Sequence, residues 1–194
     1  MKLGIYGGTF DPPHIGHLIV AQDACEELGL DRVLFIPAGA PPHKRDHVIT
    51  PAPLRLRMLE AAISGDVRFA IETLELTRPG PSYSVDTLEE LSTRYPGAEL
   101  FLLLGADQYR EFHTWREPAR VAALSRIAVL RRGDTAEIAA ADMEVFRAQW
   151  VSVTRIDVSS TDIRRRMAAG QSVRFLVPDA VEKLLLKEGL YSAR

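Results

Sequence analysis

Six short stretches of strand character, at residues 2–6, 33–36, 67–71, 99–104, 127–130 and 151–156, alternate with helical patterns along all 194 residues. The helical patterns fall at 17–28, 54–64, 85–95, 118–124, 136–148 and 160–169, and Pro178 starts a last one. Strands that are apolar throughout have both faces covered, and a helix between successive strands makes a parallel crossover. The expected fold is therefore one α/β domain over residues 1–194, a doubly wound, mostly parallel sheet. Ligands of such sheets bind at the carboxyl ends of the strands. No internal repeat or low-complexity segment interrupts the pattern.

Composition narrows the partners. Formal net charge is −2 with 26% charged residues, so a nucleic-acid partner is not expected and any anion site must be local. The single Cys25 rules out an internal disulfide and fits a reducing, cytoplasmic setting. It falls on the apolar face of the first helix and reads as a buried thiol. The longest wholly apolar run, 100–104, is far short of a membrane span. The first residues already read as a strand, so no signal peptide is expected.

The most informative stretch is Gly7-Gly8-Thr9-Phe10-Asp11-Pro12-Pro13-His14-Ile15-Gly16-His17, between the first strand and the first helix. A glycine-ended strand opening a helix is a layout that holds phosphate on backbone N–H groups. Gly7 and Gly8 are expected to supply φ > 0 and close approach, and Gly16 room beside the ligand. His14 and His17 are three apart and share one helical face at the first turn. Both can donate N–H bonds to phosphate oxygens. A second stretch, Ser159-Ser160-Thr161-Asp162-Ile163-Arg164, combines a hydroxyl helix cap with an arginine one turn in, able to fork onto phosphate.

The first stretch resembles the G-T-F-D-x-x-H-x-G-H signature of the nucleotidyltransferase superfamily. Seven fixed letters recur by chance roughly once in a billion start positions at average residue frequencies. The second resembles the superfamily's S-S-T-x-I-R signature through Ser159, Ser160, Thr161, Ile163 and Arg164. The resemblance implies a Rossmann-like fold in which the second signature faces the two histidines across the ATP phosphates, with residues 159–194 completing the ATP site.

Further segments look like the bacterial nicotinate mononucleotide adenylyltransferases: Pro41 to Lys44, Gly80 to Leu88, Leu104 to Trp115, and Phe175 to Tyr191. The likeness spans nearly the whole chain in order. It implies that ATP and nicotinate mononucleotide give nicotinate adenine dinucleotide and pyrophosphate, a step of NAD biosynthesis. By the same resemblance His14, His17 and Arg164 are catalytic. Gly7, Gly8, Thr9, Phe10, Gly16, Gly105 and Asp107 line the ATP pocket with the second signature. Trp115 stacks on the pyridine ring, the N–H groups of Ser84 and Arg116 hold its carboxylate, and Lys44 reaches the phosphates. Two positions depart from the pattern: Ser84 stands where many relatives carry threonine, and Arg116 where an aromatic residue is common.

A phosphomonoester nucleophile is ionised at neutral pH, so the chemistry needs positioning and positive potential rather than a general base. Mg²⁺ arriving with the ATP phosphates is the expected cofactor, without a dedicated protein cage. Ser84 is expected to cap its helix, and the proline-punctuated loop 37–53 to close as a lid. The rival acceptors are nicotinamide mononucleotide and phosphopantetheine, and the rival class is a non-catalytic nucleotide-binding regulatory module. A homo-oligomer is left open.

Overall fold

A computed structural model describes residues 1–41, 49–132 and 145–192. Its sheet has six strands: β1 (Lys2–Gly8), β2 (Arg32–Pro37), β3 (Phe69–Ile71), β4 (Glu99–Gly105), β5 (Arg126–Arg132) and β6 (Gln149–Val153). Their order is β3-β2-β1-β4-β5-β6, and every neighbouring pair is parallel. The described helices are α1 (Ile15–Leu28), α2 (Ala52–Ile63), α3 (Leu74–Thr77), α4 (Ser84–Arg94), α5 (Ala106–Arg110), α6 (Pro118–Leu124), α7 (Ser160–Ala168) and α8 (Asp179–Lys187). The strand order turns back between β1 and β4, which opens a crevice at their carboxyl ends.

The period-two alternation of the strands divides the core. Leu3, Ile5, Leu102, Leu104 and Val129 pack on one face with Leu88 and Leu91 of α4 and Val121 of α6. Tyr6, Phe35, Phe101, Leu103 and Leu130 pack on the other with Val20, Ala21 and Ala24 of α1. Cys25 is buried there; its Sγ donates to Leu30 O at 3.3 Å, and burial pushes the thiol pKa up. A third cluster joins α2, α7 and α8 through Met58, Ala62, Ile163, Met167, Val181 and Leu185. It seats the second signature beside the sheet. No helix among the described residues is long and apolar enough to cross a membrane.

Several boundaries differ from the pattern. β6 ends at Val153, three residues early, because Thr154 N turns to donate to Asp23 Oδ2 at 2.6 Å. β3 starts at Phe69, after a turn in which Arg68 N donates to Asp66 Oδ1. The four-residue α3 had no periodic signal. Ser84 is not the cap of α4: Tyr83 occupies that position and Ser84 is the first helical residue. Most of the expected helix 136–148 lies outside the described residues.

Candidate active site

Gly7 and Gly8 close β1 in extended conformation, and the positive φ of this loop falls on Phe10 at 50°. The expectation of φ > 0 at the two glycines is thus corrected. A Cβ on Gly8 would sit 2.8 Å from the Phe10 ring, so what this position requires is space. That ring is buried, its centroid 5.6 Å from that of Phe35 and 5.1 Å from that of the His17 ring.

His14 occupies the N-cap of α1, and its N–H donates to His17 Nδ1 at 3.1 Å. The two rings stack with centroids 3.6 Å apart and planes 28° from parallel. Because His17 Nδ1 accepts, this hydrogen bond assigns the ring proton to Nε2, which is then a donor. Gly16 lies against the pair: a Cβ there would come within 3.0 Å of His14 Nδ1. The space expected beside a ligand is taken by an imidazole. The amides of α1 are also largely engaged, since Ile15 N donates to Leu176 O and His17 N to His14 O. Phosphate binding here therefore leans on side chains more than the strand–glycine–helix layout implies.

The second signature meets the first directly. Ser159 caps α7, its Oγ accepting from Asp162 N at 3.0 Å. Ser160 Oγ donates to Pro12 O at 2.8 Å, and Arg164 Nη1 donates to Asp11 O at 2.8 Å. Arg164 Nη2 also donates to the exposed Thr161 hydroxyl. The side chain of Ile163 does not face the loop; it is fully buried in the third cluster.

Behind the loop stands a group of residues to which the sequence reading gave no role. Arg55 is 1% exposed and uses three nitrogens on three carbonyls: Thr9 O, Ala38 O and Thr50 O, at 2.8, 2.8 and 2.9 Å. Burial pulls its pKa below the usual guanidinium value, and the charge of Asp11 opposes that pull. A signal was present: Arg55 falls in register with the buried Met58, Leu59 and Ala62, a charge inside an apolar stripe. Asp11 accepts from Tyr191 and Thr50, which ties the loop to the end of the chain.

A short bridge leads to the other side of the crevice. Ala38 N donates to Gly8 O, while Gly39 N and Ala40 N both donate to Ser82 Oγ. Next in the chain, the Tyr83 ring lies 4.8 Å under the Arg116 guanidinium. This contact brings the Trp115–Arg116 segment to the first turn of α4, where Ser84 N is among the amides that lack an intrahelical partner. Trp115 is half-buried and tilts against Phe112 at 5.3 Å. Gly105 ends β4 at the crevice, and the side chain of Asp107, 96% exposed, pairs with Arg110. Lys44, with residues 42–48 of the expected lid, lies outside the described residues. His113 is a surface residue.

The crevice at the β1–β4 switch point and the two joined signatures define a nucleotidyl-transferring α/β domain. Residues 5–166 match the cytidylyltransferase-like family, and the chain belongs to it. More particularly, it is 46% identical over 195 residues to a probable nicotinate-nucleotide adenylyltransferase of Thermomicrobium roseum, covering 98% of this chain and 91% of that one. It is also 46% identical over 192 residues to one from Thermus thermophilus, covering 98% and 100%. The solved nicotinic acid mononucleotide adenylyltransferase of Plasmodium falciparum, complexed with NaAD, shares the fold at a TM-score of 0.82 and 17% identity, covering 98% and 97%.

Proposed function

We propose that this chain transfers the adenylyl group of ATP to nicotinate mononucleotide, giving nicotinate adenine dinucleotide and pyrophosphate. One observation carries the chemistry: the His14 N–H···Nδ1 His17 bond makes His17 Nε2 a donor beside a loop on which Arg164 is seated. A phosphate oxygen of the mononucleotide forms a bond to the α-phosphorus as the bond to pyrophosphate breaks. The histidines and Arg164 meet the charge that builds on the phosphate oxygens and on the leaving group. Arg164 retains N–H donors beyond the two used on Asp11 and Thr161.

The donor set suits Mg²⁺ that arrives on ATP. The loop carboxylate, Asp11, is committed to Tyr191 and Thr50. Among the described residues no three His, Cys, Asp or Glu side chains gather as metal ligands. Phosphate oxygens and water would hold the ion, which neutralises phosphate charge when bound. The backbone of Gly7 to Phe10, Gly105, Asp107 and the α7 hydroxyls form the ATP side in this reading, with Lys44 reaching the phosphates. Trp115 takes the pyridine ring, and the N–H groups of Ser84 and Arg116 take its carboxylate. Donors in that place disfavour an amide, whose NH₂ would face N–H groups unpaired.

Pyrophosphate release with Mg-ATP and each of nicotinate mononucleotide, nicotinamide mononucleotide and phosphopantetheine tests the reading. Preference for the first is the expected result. Equal use of the two mononucleotides removes the carboxylate assignment, and ATP binding without turnover of any acceptor favours the regulatory module.

A further inference from the structure

The loop that carries the two histidines is held from behind by a residue almost at the end of the chain. Tyr191 Oη donates to Asp11 Oδ1 at 2.5 Å and accepts from the Thr50 hydroxyl at 3.2 Å. Thr50 N donates to Asp11 Oδ2 at 3.2 Å. Both carboxylate oxygens are thereby engaged, while the backbone carbonyl of the same residue receives Arg164 Nη1. Asp11 is 5% exposed, so its charge has little water to fall back on. Burial, and then the neighbouring Asp11, push the Tyr191 phenol above its ordinary range. The hydroxyl is consequently a fixed donor at working pH. The transfer chemistry itself gives Tyr191 no task.

We infer that Tyr191 is a positioning residue for nucleotidyl transfer: by holding the Asp11 carboxylate it fixes the carbonyl on which the Arg164 guanidinium is seated. The inference rests on the proposed function for the part Arg164 plays in the reaction. Without the hydroxyl, Asp11 Oδ1 loses its donor in a nearly dry place. The carboxylate then turns toward Arg55 or Arg164, and either motion moves the loop carbonyls. Misplacing a charge-stabilising group by about 1 Å costs on the order of 10²-fold in rate. Tyr191 also packs its ring against the third cluster, so Tyr191→Phe removes the hydrogen bonds and keeps the packing.

The test is a double-mutant cycle in the full chain with Tyr191→Phe, Arg164→Lys and both together, read by pyrophosphate release. The expected result is a fall in kcat of about tenfold for Tyr191→Phe, with the acceptor KM within about twofold. The double variant should be scarcely slower than Arg164→Lys alone, because both changes break one chain of contacts. Effects that multiply, or a loss of stability with kcat unchanged, overturn the inference. Should Tyr191→Phe fail to fold, Thr50→Val, which removes the hydroxyl that orients the phenol, enters the same cycle with the same criterion. Hydrogen exchange at the amides of residues 9–11 supplies a readout independent of turnover. Faster exchange in Tyr191→Phe supports the positioning role, even where the wild type proves inactive with nicotinate mononucleotide and the acceptor assignment falls. Unchanged exchange overturns it.

Discussion

On the side of the two histidines the polar groups are buried and paired. Asp11, His14 and Arg55 are each at most 5% exposed, and four backbone carbonyls, of Thr9, Asp11, Ala38 and Thr50, are held by two guanidinium groups. Across the crevice, the Arg116 side chain is 52% exposed, and its contacts are an aromatic ring at 4.8 Å and Glu117 at 3.6 Å. Polyphosphate charge is the same whatever the acceptor, so donors for it can be fixed before binding. The side proposed for the acceptor rests on one aromatic face and a few surface contacts, which leaves it room to adjust. Preorganisation here follows the charge.

The contrast breaks most visibly at Arg55. Arg55→Met leaves the carbonyls of Thr9, Ala38 and Thr50 without their donor. It is expected to cost about 3–5 kcal/mol in urea unfolding, because each buried acceptor left unsatisfied costs about 1–3 kcal/mol. Next in size is His17→Ala, with a fall in kcat of about 10²–10³ and little change in stability, the scale for losing one preorganised donor to a transferring group. If His17→Ala instead raised the ATP KM alone, the ring would be a binding group and the tautomer argument would fail. On the acceptor side Arg116→Ala should cost little. An exposed cation–π contact is worth about 0.5–1 kcal/mol, so the acceptor KM should rise about two- to fivefold. Preference for nicotinate over nicotinamide mononucleotide should hold within about threefold, because the guanidinium sits on Tyr83. A larger loss of preference would mean that it turns onto the carboxylate.

The same contrast explains what could be read in advance. Sheet and switch point follow from alternating strands and helices, because burial on two faces leaves its period in the sequence. Each signature was legible as a contiguous string, and the family resemblance set them facing each other; the direct seating of Ser160 and Arg164 on the carbonyls of Pro12 and Asp11 was not legible. Arg55, Thr50 and Tyr191 form one cluster only in three dimensions: the apolar register of Arg55 along its helix announces its burial but not its partners. The neighbour of Gly16 was hidden for a related reason: His14 is brought against it by a ring stack and not by spacing. Ser84 looked like a cap because serine is a good one. The hydroxyl that organises this turn is Ser82, two residues earlier, which accepts from Gly39 and Ala40.

Ser82 leads to the smallest effect and to the hinge between the two sides. Glu75 lies behind it, 8% exposed, with Oε1 accepting from the Thr87 hydroxyl at 2.7 Å. Burial raises its pKa above the ordinary carboxylate value, against the lowering effect of hydrogen bonds from Thr87 and Ser82 and of Arg78. The folded chain then holds a proton that the unfolded chain releases. This contribution to stability is fully present below the unfolded pKa and is lost as pH rises through the folded one. Glu75→Gln keeps an oxygen for Thr87 and carries no charge. Its urea midpoint should match the wild type at the acid end of that window and exceed it at the upper end. Gly39 sits on the same hinge, where a Cβ would come within 2.1 Å of the backbone carbonyl oxygen of Glu75, so this close approach requires a glycine. A pH profile identical in wild type and Glu75→Gln would mean that Arg78 and the two hydroxyls hold Glu75 ionised. The bridge between the rigid and adjustable sides would then be a charged one.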